Sequence, residues 1–177
     1  MKNFTLIDRF EVGHVVNEVD SNEDLWHQIT ARQDTPGSPH HDTAAIFLRW
    51  CRERTIESAF TDLDAIDYPA SAEMPASMAM LAWMSEYLSV KQLGRAMIVN
   101  LHAGGHIDAH ADEGAYAEHY QRFHLCLFSR RGNVFRCGDE ETHMRPGDLW
   151  TFNHRIEHEL WNNSDSMRLH LIFDAVL

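Results

Sequence analysis

Arg95-Ala-Met-Ile-Val-Asn-Leu-His102, the turn Ala103-Gly-Gly105 and then His106-Ile-Asp-Ala-His-Ala-Asp112 set the texture of the second half of the chain. Segments of about five to eight residues alternate with turn formers, the pattern of short strands in a sandwich or barrel. It continues through Arg122–Ser129, Asn133–Cys137, Thr142–Met144, Leu149–Asn153 and Met167–Ala175. The punctuation is Arg130-Arg-Gly132, Gly138-Asp-Glu140, Arg145-Pro-Gly-Asp148 and Asn162-Asn-Ser-Asp165. With Ala45–Cys51, which also reads as a strand, this predicts a mainly β fold, a jelly roll behind a helical flank.

Working outward, Pro75 to Val90 reads as a helix. Met78, Leu81, Ala82, Met84 and Leu88 recur at roughly helical spacing, and Pro75 is suited to a first turn. Ser21-Asn-Glu-Asp24 reads as the cap of a short helix through His27, whereas residues 4–16 show no helical period. Residues 33–43 are turn formers throughout and predict an exposed loop, with His40-His41-Asp42 solvated. A length of 177 residues suits a single domain, with 1–93 as flanking helices, loops and outer strands and 94–177 as the jelly-roll core.

The chain has 15 Lys plus Arg against 27 Asp plus Glu, a formal charge of −12, which argues against a nucleic-acid surface. Its three cysteines show neither disulfide nor zinc spacing, and no stretch is apolar enough to span a bilayer, so a cytoplasmic protein without a membrane partner is expected. Histidine stands out: of 13 in the chain, nine lie between His102 and His170, which is where chemistry is to be sought.

On a strand, His110 and Asp112 share a face. A third imidazole would complete a two-histidine, one-carboxylate triad, the arrangement that leaves positions on Fe(II) open. His106-Ile-Asp108 offers the same pattern, and the distal imidazole is His154 or His158. Ten residues beyond His158 lies Arg168, whose fork suits the carboxylate of a 2-oxoacid, while ten beyond His154 lies Ser164. Arg122-Phe-His124 and Arg168-Leu-His170 repeat one Arg-x-His pattern. Guanidiniums inside a barrel are costly unless an anion meets them, so the two together point to a dianionic ligand.

These residues resemble the aspartyl/asparaginyl β-hydroxylase family of iron- and 2-oxoglutarate-dependent oxygenases, whose fold is a double-stranded β-helix. The carriers are Gly104–Asp112, Arg122-Phe-His-Leu, Arg136-Cys137, Pro146–Phe152, Glu157–Trp161 and Met167-Arg-Leu-His. The resemblance runs from about Gly94 to Asp174 and faintly back to Thr43. It implies iron on His110, Asp112 and His158, so that His106 is not a ligand. It further implies 2-oxoglutarate clamped by Arg168, with Arg122 and His124 near its other carboxylate, and O2 as oxidant. His110 precedes Arg122 by 12, His158 by 48 and Arg168 by 58 residues, a spacing that, with Asp112, resembles the L-proline cis-4-hydroxylase branch. One departure is Val99, which stands at the position of a polar co-substrate contact and leaves Asn100 or another group to compensate.

The expected function is therefore hydroxylation of an amino-acid side chain, in a peptide or protein or in a free amino acid or related small molecule. Residues 113–121 are expected to serve as a lid. The alternatives are a cupin-like metal enzyme without 2-oxoglutarate, which has no need of a buried Arg168, and a non-catalytic binding module.

Overall fold

The computed structural model describes residues 2–177. Strand β1 (Phe4–Arg9) leads into helix α1 (Gly13–Asp20), a 3-10 turn at Glu23–His27 and the one-turn helix α2 (Ala31–Asp34). Then come β2 (Thr43–Trp50), α3 (Ile56–Thr61), the short β3 (Ile66–Asp67), α4 (Ala70–Glu73) and α5 (Pro75–Tyr87). The second half is β4 (Gln92–Leu101), β5 (His106–His110), α6 (Gly114–His119), β6 (Gln121–Phe128), β7 (Asn133–Cys137), β8 (Glu140–Thr142), β9 (Asp148–Phe152), β10 (His158–Asn162) and β11 (Arg168–Val176).

The strands form two antiparallel sheets, one in the order β1-β9-β6-β11-β4-β2-β3 and one in the order β5-β10-β7-β8. Strands far apart in sequence lie side by side because the chain passes repeatedly from one sheet to the other, as in the expected jelly roll. At the first crossing Gly104, with φ of 71°, adopts a conformation that glycine enters at little cost, and the chain swings from β4 in the large sheet to β5 in the small one. Within the first 93 residues, β1 lies at one edge of the large sheet and β2 and β3 at the other.

Alternation along β11 places the site. Leu169, Leu171 and Phe173 enter the outer core with Val15 and Val19 of α1 and Leu81 and Met84 of α5. Arg168, His170 and Asp174 therefore take the opposite, inner face, as do Arg122 and His124 on β6 by the same period of two. That face meets the small sheet across an apolar layer containing Leu101, Phe152, Ile107, Phe135 and Leu160. The large sheet is thus greasy outside and polar within, and its buried polar groups lie between the sheets.

Pro75 begins α5 as anticipated, and the free N–H groups of its first turn are met by α1: Ala76 and Ser77 donate to the Glu18 carboxylate at 2.6 and 2.8 Å. Met80 rather than Met78 is the deeply buried methionine of its first turns, together with Leu81 and Met84. Two elements differ from the sequence reading. Helix α1 forms where no helical period is visible, its burial confined to Val15 and Val19. Strand β10 hides its alternation of buried His158, Leu160 and Asn162 beneath histidine, glutamate and asparagine.

Residues 113–121, expected as a lid, instead dock. Tyr116 and Ala117 of α6 are buried, and the Tyr116 hydroxyl accepts the Arg95 N–H at 2.8 Å and donates to Asp174 Oδ2 at 3.1 Å. Tyr120 donates to the Leu63 carbonyl at 2.6 Å. Gly94 permits this closeness, since a Cβ there would stand 2.6 Å from the Tyr116 hydroxyl and 3.1 Å from the Asp174 carbonyl. Gly94→Ala is accordingly expected to lower stability by about 1–3 kcal/mol through overpacking, read as a drop in the urea midpoint. An unchanged midpoint would mean that α6 yields without cost.

Candidate active site

Pairing of β10 with β5 sets His158 directly opposite His110, with ring centroids 4.3 Å apart. Asp112 lies just past the end of β5, its N–H held by the His154 carbonyl at 2.9 Å. Ligand atoms of His110, Asp112 and His158 all fall within 4.8 Å of one another. In each histidine Nδ1 faces a backbone carbonyl two residues earlier, Asp108 at 2.7 Å for His110 and Ile156 at 3.0 Å for His158. A carbonyl can only accept, so Nδ1 carries the proton and the lone pair is on Nε2.

Burial keeps both rings neutral. It pushes His158 down to about 4, against the opposing pull of Asp112, and it lowers His110 as well. For Asp112 burial favours the neutral acid, but the Arg122 guanidinium overrides it and holds the carboxyl below its usual value. Two neutral imidazoles with inward lone pairs and one ionised carboxylate are the donor set that Fe(II) takes in a facial triad.

A second set lies deeper between the sheets. Arg168 is 4% exposed, and its side-chain contacts are the His170 ring, with Nη2 3.2 Å from Nδ1, and the face of Phe135. Among the described residues no carboxylate pairs with it; burial draws its pKa down to about 10, so it stays charged at neutral pH. Around it both ring nitrogens of His124, Nε2 of His170 and Nε1 of Trp150 are buried without partners. Orphaned polar atoms in such number call for a missing ligand. A bound anion is what these groups fit, and a 2-oxoacid reaching from the triad to Arg168 meets that demand.

Other expected site residues resolve differently. Arg122, expected beside the co-substrate, is already engaged: Nη1 donates to Asp112 at 2.6 Å, while Nε and Nη2 donate to Asp174 at 2.8 and 3.1 Å. Its charge is opposed by burial and more than restored by Asp112 and Asp174, which raise its pKa above the usual value. Its place is behind a triad member. Asn100 cannot stand in for Val99, because successive residues of β4 point to opposite faces and Val99 packs inward with Met97. His106 stacks on Trp161 and bonds Glu159 at 2.7 Å, away from the triad. His154 donates from Nε2–H to the Ala117 carbonyl of α6 at 3.1 Å, so it pins that helix.

The sequence reading missed two residues beside His110. His40, expected in solvent, is partly buried and meets His110 edge-on at 4.9 Å, and Arg32 touches the His40 ring. Only the ligand-like composition of His40-His41-Asp42 hinted at the first, and nothing in the sequence marked the second.

A family model described as Aspartyl/Asparaginyl beta-hydroxylase matches residues 20–176. No curated protein matches the sequence significantly. Among solved structures, a prolyl hydroxylase from Trichoplax adhaerens, in complex with a hypoxia inducible factor peptide fragment, aligns with TM-score 0.67 and 11% identity, covering 98% of this chain and 83% of that one. A 2OG-Fe(II) oxygenase family oxidoreductase from Burkholderia pseudomallei aligns with TM-score 0.60 and 12% identity, covering 98% of this chain and 84% of that one. At such identities the two structures support the fold, and the chemistry rests on the family match across nearly the whole chain. The chain belongs to the aspartyl/asparaginyl β-hydroxylase family and is a 2-oxoglutarate-dependent hydroxylase that works with Fe(II) and O2.

Proposed function

We propose that His110, Asp112 and His158 hold Fe(II), that Arg168 clamps the far carboxylate of 2-oxoglutarate with His124 assisting, and that the substrate is an amino-acid residue or an amino-acid-like small molecule. The observation that carries this reading is the meeting of three deprotonated donors with a buried, unpaired Arg168 behind them. When bound, Fe(II) with 2-oxoglutarate and O2 supplies the oxidising power to replace a substrate C–H by C–OH, the co-substrate leaving as succinate and carbon dioxide.

The residues of the chain supply binding and geometry. Nδ1–H bonds to Asp108 and Ile156 fix the two imidazole planes, and Arg122, anchored on Asp174, keeps Asp112 ionised and aimed. Phe152 packs edge-on to His158 at 5.1 Å and Phe135 lies between it and Arg168, so the slot is walled by rings that exclude water. The triad is on the small sheet and the anion clamp on the large one, which supports treating residues 1–177 as one working unit. Free, buried Cys51, Cys126 and Cys137 and the net charge of −12 support a cytoplasmic setting and no nucleic-acid partner. Among the described residues no helix is long and apolar enough to cross a membrane.

Purified protein with Fe(II) and 2-oxoglutarate is expected to form succinate faster with a free amino acid or with an Asp- or Asn-containing peptide. Stimulation only by a nucleotide or a lipid would overturn the substrate class.

A further inference from the structure

The strap of residues 35–42 between α2 and β2 is tied to β5 and the turn before it, beside His110. Asp108 N–H donates to the Pro39 carbonyl at 3.0 Å, and Asp42 receives His106 N–H on its side chain at 3.0 Å and His102 N–H on its backbone at 3.2 Å. The strap thereby sets His40 against His110. Arg32, on α2 just ahead of the strap, places Nη2 3.0 Å from His40 Nδ1 and Nη1 2.8 Å from the Met97 sulfur, while its Nε is buried and unpartnered. A neutral imidazole and a thioether are poor company for a cation, and no ion pair among the described residues includes Arg32. After burial, the strongest influence on it is the like charge of Arg122.

Charge counting gives this orphan a purpose. Among the well-buried charges the chain places Arg32, Arg122 and Arg168 around the centre against Asp112 and Asp174; Asp42 and Asp108 beside the strap are about half open to solvent, and Arg95 is held by the Ser58, Ala59 and Asp62 carbonyls at the end of α3. Fe(II) and the 2-oxoglutarate dianion cancel each other, so with both bound one positive charge is left over in a poorly solvated place. Such an excess is costly unless an anion answers it.

We propose that Arg32, on α2 just ahead of this strap and backed by His40, is a specificity residue that receives a carboxylate carried by the substrate itself. The proposal rests on the iron and 2-oxoglutarate reading above and adds to it the class of substrate, one with a free carboxylate near the hydroxylated carbon. The α-carboxylate of a free amino acid and the side-chain carboxylate of an acidic residue in a peptide offer the same chemistry, and the test separates them.

Binding is measured by calorimetry on protein loaded with Fe(II) and 2-oxoglutarate without oxygen. One arm titrates free amino acids against their α-carboxamides, and the other titrates blocked Asp tripeptides against the matching Asn tripeptides. In at least one arm a carboxylate is expected to bind about tenfold or more tighter than its amide, and that arm names the source. Arg32→Gln should erase the preference and Arg32→Lys should keep part of it, with 2-oxoglutarate affinity and near-UV circular dichroism unchanged in both. The proposal is overturned if no carboxylate outbinds its amide or if Arg32→Gln retains the preference. It is equally overturned if Arg32→Gln weakens 2-oxoglutarate instead, which would put Arg32 in the co-substrate slot. Failure of the wild-type protein to bind Fe(II) and 2-oxoglutarate at all would instead strike the underlying reading.

Discussion

His158→Ala is expected to leave the protein folded, strip it of Fe(II) and abolish 2-oxoglutarate turnover. The ring is 3% exposed, stands opposite His110 in the ladder and has its tautomer fixed by the Ile156 carbonyl, so alanine removes one of three preset donors and nothing nearby replaces it. His154 is the only rival the sequence offered, and its Nε2 is committed to Ala117. Losing an outer partner of a metal ligand costs roughly 10–100-fold in affinity, so losing the ligand itself should cost about 100-fold or more. His110→Ala should do the same. His106→Ala should keep iron and turnover, because its ring is held on Trp161 and Glu159. Metal content and succinate formation, with near-UV circular dichroism as the check on folding, decide the matter. Iron retained by His158→Ala but lost from His154→Ala would move the site.

What could be read from the sequence follows the range of the forces involved. Strands with turn residues between them announce themselves locally, and Asn133–Cys137 is found with the same ends in both readings. The Arg122 ion pairs do not: Asp174 is 52 residues away and comes opposite Arg122 only through the register of β6 on β11. A repeated Arg-x-His pattern therefore looked like two free clamps when one was already neutralised. His40 is a similar case. Its neighbours Pro36, Gly37, Ser38 and Pro39 read as solvated loop, and bonds from distant residues, Asp108 to Pro39 and His102 and His106 to Asp42, hold them against the site. Helix α6 was hidden because its anchors, Arg95 and Asp174, lie on other strands and its one accommodating residue is a glycine twenty positions earlier.

Removing the Arg168 charge is expected to weaken co-substrate affinity, read in Arg168→Ala, and to raise the stability of the free protein, read in Arg168→Met. Truncating one partner of a buried, hydrogen-bonded charge pair costs about 2–5 kcal/mol, so the 2-oxoglutarate concentration for half-saturation should rise roughly 30-fold or more. Arg168→Lys should recover only part of this, because an ammonium cannot offer a planar fork to a carboxylate. In the free protein the same guanidinium is a liability, buried on β11 with an imidazole and the face of Phe135 for company and no counter-ion. Replacing it by a neutral chain of similar length, Arg168→Met, removes an uncompensated charge without opening a cavity and should stabilise the free protein by about 1 kcal/mol or more. Added 2-oxoglutarate should then raise the melting temperature of the wild type but not of Arg168→Met, since a ligand stabilises only the state that binds it. A purely structural arginine would give the reverse, a less stable variant with co-substrate saturation unchanged, and that result would take the clamp away from Arg168. The two measurements together separate a charge kept for a ligand from one kept for the fold.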